Sequence, residues 1–179
     1  MRIMGVSGLP GSGKGFVSDI ATEKGAMIVS MGDIIREEAK KRGESTKETA
    51  KNLRKEHGQY IVAEMTIEKI KKLQEEGFES SILVDGIRSQ YEVNLFKKNF
   101  NNFIIVSIFA NPKLRFERIK SRKREDDTTD YDVFAERDQR ELDFGIGNVI
   151  SLSDKIIINE SDIESFEQKI REFLEEIDV

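Results

Sequence analysis

The chain has 179 residues, a net charge of -5, 35% charged and 37% hydrophobic residues, which favours one soluble domain over a disordered or membrane-spanning chain. It has no cysteine and a single histidine, His57, so disulfide frameworks and cysteine- or histidine-based metal clusters are excluded. The negative charge argues against a nucleic-acid partner, and the absence of a leader or a spanning segment predicts a cytoplasmic protein without membrane contacts.

Hydrophobic runs alternate with longer amphipathic stretches, which is typical of a parallel sheet covered by helices. Strands are predicted, in chain order, over residues 2–6, 26–30, 82–85, 103–109 and 156–158. A first helix is predicted over 13–22 and a long helical block over 33–77. The polar stretch 121–131 is predicted to be an exposed, mobile loop. A closing helix should pack on the sheet through a hydrophobic stripe of Ile163, Phe166, Ile170, Phe173, Leu174 and Ile177.

A glycine-rich loop, GLPGSGKG, lies between the first predicted strand and the first helix. Its glycines permit the dihedrals and the close approach that backbone N–H groups need to surround a phosphate chain, and the helix adds its positive end. Lys14 can then reach the outer phosphates. A glycine-rich turn with a surface lysine is the alternative, which the strand–loop–helix context disfavours. The loop predicts binding of ATP with Mg2+ by Gly8, Leu9, Pro10, Gly11, Ser12, Gly13, Lys14 and Gly15.

The residues that follow Lys14 depart from the general motif. Gly15 and Phe16 stand where a Ser or Thr hydroxyl usually binds Mg2+. The loop resembles the GxPGxGKGT loop of adenylate kinases, which share the glycine and Pro10 but have a threonine at the position of Phe16. Any Mg2+ must therefore depend on water, phosphate and carboxylates.

A second segment, VSMGDIIRE, follows the second predicted strand and resembles the STGDxxR segment of adenylate kinases at Ser30, Gly32, Asp33 and Arg36. The resemblance implies that Arg36 holds the phosphate of an acceptor monophosphate, which suits a planar, permanently charged group. Met31 replaces the threonine of that family. Taken alone, the segment also fits a helix cap at Asp33 beside a surface arginine.

The third predicted strand ends at Asp85, on the edge of the sheet where ligands of open parallel sheets bind. A carboxylate there can hold Mg2+ through a water or polarise the attacking group. Gly86, Ile87 and Arg88 resemble a shortened DGFPR segment of adenylate kinases, which implies that Arg88 is a second cation for the acceptor phosphate. A simple Asp-Gly turn is the competing interpretation.

After the fourth predicted strand, Arg115, Arg118 and Arg122 are spaced to share one face of a helix. Arg118 and Arg122 match the pair before the lid of adenylate kinases, where one stacks on adenine and the other touches phosphates. Arg137 and Arg140 are spaced to return from the far side of such a lid, which can exclude water and neutralise charge during transfer. The alternatives are a solvated helix with salt bridges and an RNA-binding patch, although the interleaved aromatic residues of a stacking platform are missing.

The carboxyl-terminal segment LSDKIIINES resembles the end of dephospho-coenzyme A kinases. As a whole, the chain is similar to an archaeal family of adenylate-kinase-related proteins. The resemblance implies an α/β, three-layer P-loop NTPase fold with a five-stranded parallel sheet flanked by helices. It also implies a single domain over 1–179, with a helical acceptor-binding region over 33–77 and an arginine-rich lid over 118–140.

The predicted function is transfer of the γ-phosphoryl group of ATP to a nucleotide such as AMP by an enzyme of the nucleoside monophosphate kinase type. Two alternatives stay open: a kinase of dephospho-coenzyme A or another small metabolite, and a nucleotide-binding regulatory ATPase. The candidate catalytic residues are Lys14, Asp85, Arg118 and Arg122, with Asp85 also holding Mg2+ through water. The candidate acceptor-binding residues are Ser30, Gly32, Asp33, Arg36, Gly86, Arg88, Arg137 and Arg140.

Overall fold

Five parallel strands form the centre of the fold in the computed structural model, which describes residues 2–122 and 127–179. The strands are β1 (Ile3–Ser7), β2 (Met27–Ser30), β3 (Ile82–Asp85), β4 (Ile104–Phe109) and β5 (Lys155–Ile158). Their order across the sheet is β2-β3-β1-β4-β5, and all neighbouring pairs are parallel. Because each strand lies within one residue of its predicted position, the predicted five-stranded parallel sheet is confirmed.

The helices in the described residues are α1 (Lys14–Glu23), α2 (Met31–Arg42), α3 (Thr46–His57), α4 (Ile61–Glu75), α5 (Gln90–Asn99), α6 (Pro112–Arg122), α7 (Tyr131–Phe144), α8 (Ile146–Ser151) and α9 (Ile163–Glu176). The helical block predicted over 33–77 consists of three helices, because α2 and α3 end at Gly43 and Gly58. A capping box between Ser45 and Glu48 then starts α3. In the described parts of the chain, no helix has both the length and the hydrophobicity to cross a bilayer.

The sheet separates two hydrophobic cores, since successive side chains of a strand point to opposite faces. Val84 contributes to the core that includes side chains of α2, α4 and α5, whereas the adjacent Leu83 contributes to the core under α1 and α9. Burial of an aliphatic side chain of this size contributes about 1.5–3 kcal/mol. Helices therefore cover both faces of the sheet, which confirms the predicted three-layer α/β fold.

The closing helix α9 packs on the sheet as its spacing predicts, except at its first residue. Its buried side chains are Phe166, Ile170, Phe173 and Leu174. Ile163, however, is 62% exposed, so its predicted place in the core is wrong. It begins the helix directly after the Asp162 N-cap, and this first turn lies in solvent.

The stretch predicted as an exposed loop over 121–131 is wrong at both ends, because α6 continues to Arg122 and α7 begins at Tyr131. The side chain of Asp127 is only 5% exposed, since it pairs with Arg122. Residues 123–126, in the middle of the predicted lid, lie outside the described residues.

The topology brings three of the predicted site segments to one edge of the sheet. In the strand register, Asp85 lies beside Val6 of β1 and beside Ser30 of β2. Because these strands are parallel, their carboxyl ends meet at the same edge. The glycine-rich loop, the segment after Ser30 and the Asp85 turn are therefore neighbours.

Candidate active site

The glycine-rich loop connects β1 to α1 and packs closely on two other elements. Gly11 and Gly13 have positive φ values of 79° and 106°. A Cβ atom at Gly11 would lie 2.7 Å from the Arg115 carbonyl oxygen of α6, and one at Gly13 would overlap the Asn159 side chain. Both positions therefore require glycine, and the loop has the backbone form that a phosphate chain needs.

The ammonium group of Lys14 lies inside this loop, in a half-buried position at the start of α1. Its Nζ donates a hydrogen bond of 2.6 Å to the Gly8 carbonyl oxygen. Burial lowers the pKa of Lys14, and the nearby Asp85 and Glu141 carboxylates oppose this effect only in part. The nearby carboxylates therefore compensate the positive charge of Lys14 only in part, and the negative charge of a polyphosphate would complete that compensation.

Asp85 provides a carboxylate close to the Lys14 ammonium group. Its Oδ1 atom is buried and has no hydrogen-bond partner among the described residues. An unpaired carboxylate oxygen of this kind is costly, and its position at the carboxyl end of β3 suits a hydrated cation or a reacting hydroxyl group. Asp85 therefore lies where the sequence predicts a functional carboxylate.

The surroundings of Asp85 fit Mg2+ held mainly by phosphate and water. Gly15 and Phe16 have no hydroxyl group that could bind the ion, and the Phe16 ring packs edge-to-face on Phe166 with 5.7 Å between the ring centroids. Within residues 2–122 and 127–179, no group of three or more His, Asp or Glu side chains is arranged to hold a metal. The assignment of Asp85 as the carboxylate that holds Mg2+ through water stays a prediction.

The segment after β2 begins α2, and its polar residues mainly contact each other. Ser30, rather than Asp33, is the N-cap, and its hydroxyl accepts a 3.3 Å hydrogen bond from the Asp33 N–H. Arg36 is paired with Asp33 and its side chain is 61% exposed. Gly32 lies in the first turn beside the Arg36 guanidinium. Arg36 is therefore accessible to an acceptor phosphate.

The turn after β3 presents Arg88 to α7. Its guanidinium lies 3.3 Å from the Glu141 carboxylate. The backbone N–H groups of Arg88 and Ser89 donate to the Glu92 Oε2 atom at 2.8 and 3.0 Å, and burial raises the pKa of Glu92. Gly86 packs against Met31 at the start of α2, which joins the two candidate acceptor segments.

Sequence reasoning missed Glu92 and Glu141. The Ser-x-x-Glu spacing of Ser89 and Glu92 is a readable signal of a helix start. No local signal marks Glu141, since its partner Arg88 is distant in the sequence.

Arg115 differs from Arg118 and Arg122, with which it was predicted to share a helix face. It is 2% exposed, forms a buried ion pair with Asp138 of α7, and lies over the Phe134 ring. Its Nη1 atom also donates to the Pro10 carbonyl oxygen at 3.1 Å. Arg115 therefore joins the glycine-rich loop to α7 instead of facing solvent or ligand.

Arg118 is joined to the glycine-rich loop through Asn159, which follows β5. The Arg118 Nη2 atom donates to the carbonyl and side-chain oxygens of Asn159 at 3.0 and 3.2 Å. The Asn159 Nδ2 atom in turn donates to the Ser12 carbonyl oxygen at 2.8 Å. The Arg118 Nη1 atom is buried and has no hydrogen-bond partner in the described residues. Asn159 is a site residue absent from the sequence prediction.

The other predicted lid arginines differ from one another in burial and in their contacts. Arg122 forms a two-pronged pair with Asp127 and lies close enough to Lys14 to lower the pKa of that ammonium. Arg137 is half-buried on α7, one turn before Glu141, whereas Arg140 is exposed. The structure therefore brings Lys14, Asp85, Arg88 and Arg122 towards one another.

Comparison with known proteins shows the family to which this chain belongs. Residues 7–134 match the sequence model of a family described as AAA domain. A UPF0200 protein of Methanothermobacter thermautotrophicus is 46% identical over 177 residues, which cover 99% of this chain and 91% of that protein. The chain belongs to the UPF0200 family. A second UPF0200 protein, from Methanococcus vannielii, is 42% identical over 184 residues, with 99% and 97% of the two chains covered.

Solved structures of similar fold include two kinases of small molecules. A shikimate kinase from Bacteroides thetaiotaomicron has a TM-score of 0.61 and 14% identity, with 99% of each chain covered. A gluconokinase from Sinorhizobium meliloti has a TM-score of 0.65 and 11% identity, with 98% of this chain and 93% of that chain covered. At these identities the likeness shows the fold alone, which is the α/β P-loop fold of a five-stranded parallel sheet covered by helices.

Proposed function

We propose that this protein is an ATP-dependent phosphotransferase of the nucleoside monophosphate kinase type, which transfers the γ-phosphoryl group of ATP to a small acceptor such as AMP. The observation that carries the proposal is the position of Lys14, a cation with a pKa lowered by burial, inside a glycine-rich loop at the amino terminus of α1. A triphosphate bound there would accept hydrogen bonds from the loop amides and compensate this charge.

The remaining ATP contacts would come from Arg118 and Asn159. Asn159 fixes the Arg118 guanidinium against the loop, which prepares it to contact the nucleotide without a large loss of side-chain entropy. Asp85 is the residue that would hold Mg2+ through water, and the ion would supply further neutralisation of phosphate charge.

The acceptor would bind through Arg36 and Arg88. Each of these arginines is paired with a carboxylate, Asp33 or Glu141, at a partly exposed position. An acceptor phosphate can replace the carboxylate, because it offers the guanidinium the same two-pronged geometry with more charge. Exchange of partners would place the acceptor at the edge of the sheet beside the loop.

Transfer would proceed by in-line attack. An oxygen of the acceptor forms a bond to the γ-phosphorus while the bond to the β,γ-bridging oxygen breaks, and ADP leaves with that oxygen. Lys14 and Arg122 would stabilise the charge on the transferred group. An acceptor phosphate is already nucleophilic, so this reaction needs no general base.

A second candidate, a kinase of a hydroxyl-bearing metabolite, is favoured by the unpaired Oδ1 atom of Asp85. That oxygen could accept the proton of an attacking hydroxyl group. Solved structures of similar fold are named for small metabolites, shikimate and gluconate, and the carboxyl-terminal segment resembles dephospho-coenzyme A kinases. The role of Asp85 therefore depends on the acceptor.

A coupled assay of ADP release tests the proposal. The full chain is incubated with ATP, Mg2+ and single acceptors: AMP, the other nucleoside monophosphates, dephospho-coenzyme A, shikimate or gluconate. ADP release that requires one acceptor, with formation of the phosphorylated product, supports a kinase and selects between the candidates. ADP release at one rate with every acceptor and with none contradicts the proposal and supports a regulatory ATPase. Lys14→Met serves as the control for contaminating activity.

A further inference from the structure

Arg54 of α3 has an unusual environment for an arginine of this chain. Its Nε atom is buried and has no hydrogen-bond partner in the part of the chain that the structure describes. One other nitrogen, Nη1, donates to the Ala50 carbonyl oxygen of the same helix at 3.3 Å. The arginines nearest in sequence, Arg36 and Arg42, are paired with carboxylates, whereas no described carboxylate forms an ion pair with Arg54.

The guanidinium of Arg54 lies against the carboxyl-terminal end of α7. Its carbon centre is 5.6 Å from the centroid of the Phe144 ring. The next residue, Gly145, packs on the turn that presents the candidate acceptor arginine, with its Cβ position 3.8 Å from the Arg88 carbonyl oxygen. Since Glu141, the partner of Arg88, lies one turn before Phe144, both arginines contact the same side of α7.

The first turn of α5 adds a second unpaired polar atom to this region. The Gln90 Oε1 atom is buried without a partner within the described residues. Gln90 follows Ser89, which packs on Gly145. The neighbouring Tyr91 ring stacks on Tyr60 at 3.9 Å, which holds the turn between α3 and α4 against α5. These contacts link α3 to α7, α7 to the turn that precedes α5, and the turn before α4 to α5.

A buried, unpaired N–H of a guanidinium is costly unless an acceptor binds to it, and an anion would also balance the positive charge. We propose that Arg54 binds an oxyanion, phosphate or carboxylate, of the phosphoryl acceptor. The inference rests on the proposed function and favours an acidic acceptor, because the hydroxyl groups of a neutral sugar or polyol could accept the Nε–H but would not balance the guanidinium charge. The Phe144 ring holds the guanidinium in place, so little side-chain freedom is lost when the anion binds.

The test uses full-length protein with the ATP site filled by a non-hydrolysable ATP analogue and Mg2+. AMP and adenosine form one probe pair, which differs only in the phosphate, and inorganic phosphate and malonate distinguish phosphate from carboxylate. Binding is measured by calorimetry, and the Nε–H resonance of Arg54, assigned by its loss in Arg54→Gln, is followed by NMR. Lys55→Gln removes the neighbouring exposed charge from the same helix and is the matched control.

We expect the Arg54 resonance to shift with AMP and with at least one of the two small anions, but not with adenosine. Arg54→Gln should weaken anion binding about tenfold or more, Arg54→Lys by less, and Lys55→Gln by less than about twofold. An unchanged resonance with every anion, or Arg54→Gln binding anions like the wild type, overturns the inference, even if the variant is less stable. Failure of the ATP analogue to bind the wild type and all the variants contradicts the proposed function instead. In that case, the titrations with inorganic phosphate and malonate still decide whether Arg54 binds an anion.

Discussion

Lys14→Met separates the contribution of this side chain to folding from its contribution to ligand binding. Methionine retains much of the length of lysine and removes the charge that burial disfavours. In the ligand-free protein, the substitution also removes the hydrogen bond from Nζ to the Gly8 carbonyl oxygen. Because the relief of the buried charge offsets this bond, we expect the ligand-free variant to be at least as stable as the wild type.

The effect on ATP binding should be large. A hydrogen bond between a charged pair contributes about 1.5–3 kcal/mol, so its loss weakens binding by about 10–150-fold. ATP at one hundred times its wild-type Kd stabilises the wild type by about 2.7 kcal/mol. At the same concentration the variant would gain only about 0.3–1.3 kcal/mol. For a chain of this size, these values correspond to rises in Tm of about 5–11 °C for the wild type and about 1–5 °C for the variant.

The pH dependence of stability provides an independent check. The pKa of folded Lys14 lies below the ordinary value of 10.5, so the unfolded chain binds more protons between these two values. Stability of the ligand-free wild type therefore rises with pH in that window, and Lys14→Met should lack this contribution.

The assay is thermal unfolding of both proteins with and without ATP, at neutral pH and through the alkaline window. Lys98→Met, which removes an exposed charge from α5, is the control and should behave like the wild type. A Lys14→Met protein that is clearly less stable without ATP, yet gains as much from ATP as the wild type, would refute the reasoning.

Three further substitutions test other contacts. Asn159→Ala should lower stability by about 2–4 kcal/mol and weaken ATP binding, because it leaves buried partners unsatisfied; unfolding and calorimetry measure both effects, and Asn101→Ala should show neither. Asp85→Asn should leave Tm unchanged or higher and lower kcat about a hundredfold or more, so steady-state kinetics with unchanged kcat would argue against the site. Arg115→Met should cost about 3–5 kcal/mol by leaving Asp138 buried and unpaired, and Asp138→Leu in the same chain should recover part of that stability in denaturant unfolding.

The glycine-rich loop was predictable because all its determinants are local. The preceding strand, the four glycines of the loop and Lys14 occupy one short segment, and the position of Asp85 follows from its place at the end of a hydrophobic strand. The break between α2 and α3 also had a local signal, since Gly43 and the Ser45-x-x-Glu48 spacing mark a helix end and a helix start.

The contacts that complete the site depend on tertiary structure. Asn159 and Ser12 are 147 positions apart, and Arg115 and Asp138 are 23 apart. Their meeting depends on the strand order of the sheet and on the packing of α6 against α7, which hydrophobic periodicity does not encode. For the same reason, spacing alone could not distinguish buried Arg115 from the arginines that contact the site.

Calorimetric titration of the full chain with a non-hydrolysable ATP analogue, with and without Mg2+, tests the central claim most directly. The account predicts uptake of one equivalent of nucleotide by the wild type and a loss of affinity in Lys14→Met. If a folded wild-type sample binds no nucleoside triphosphate, whether or not Mg2+ is present, the central claim is contradicted.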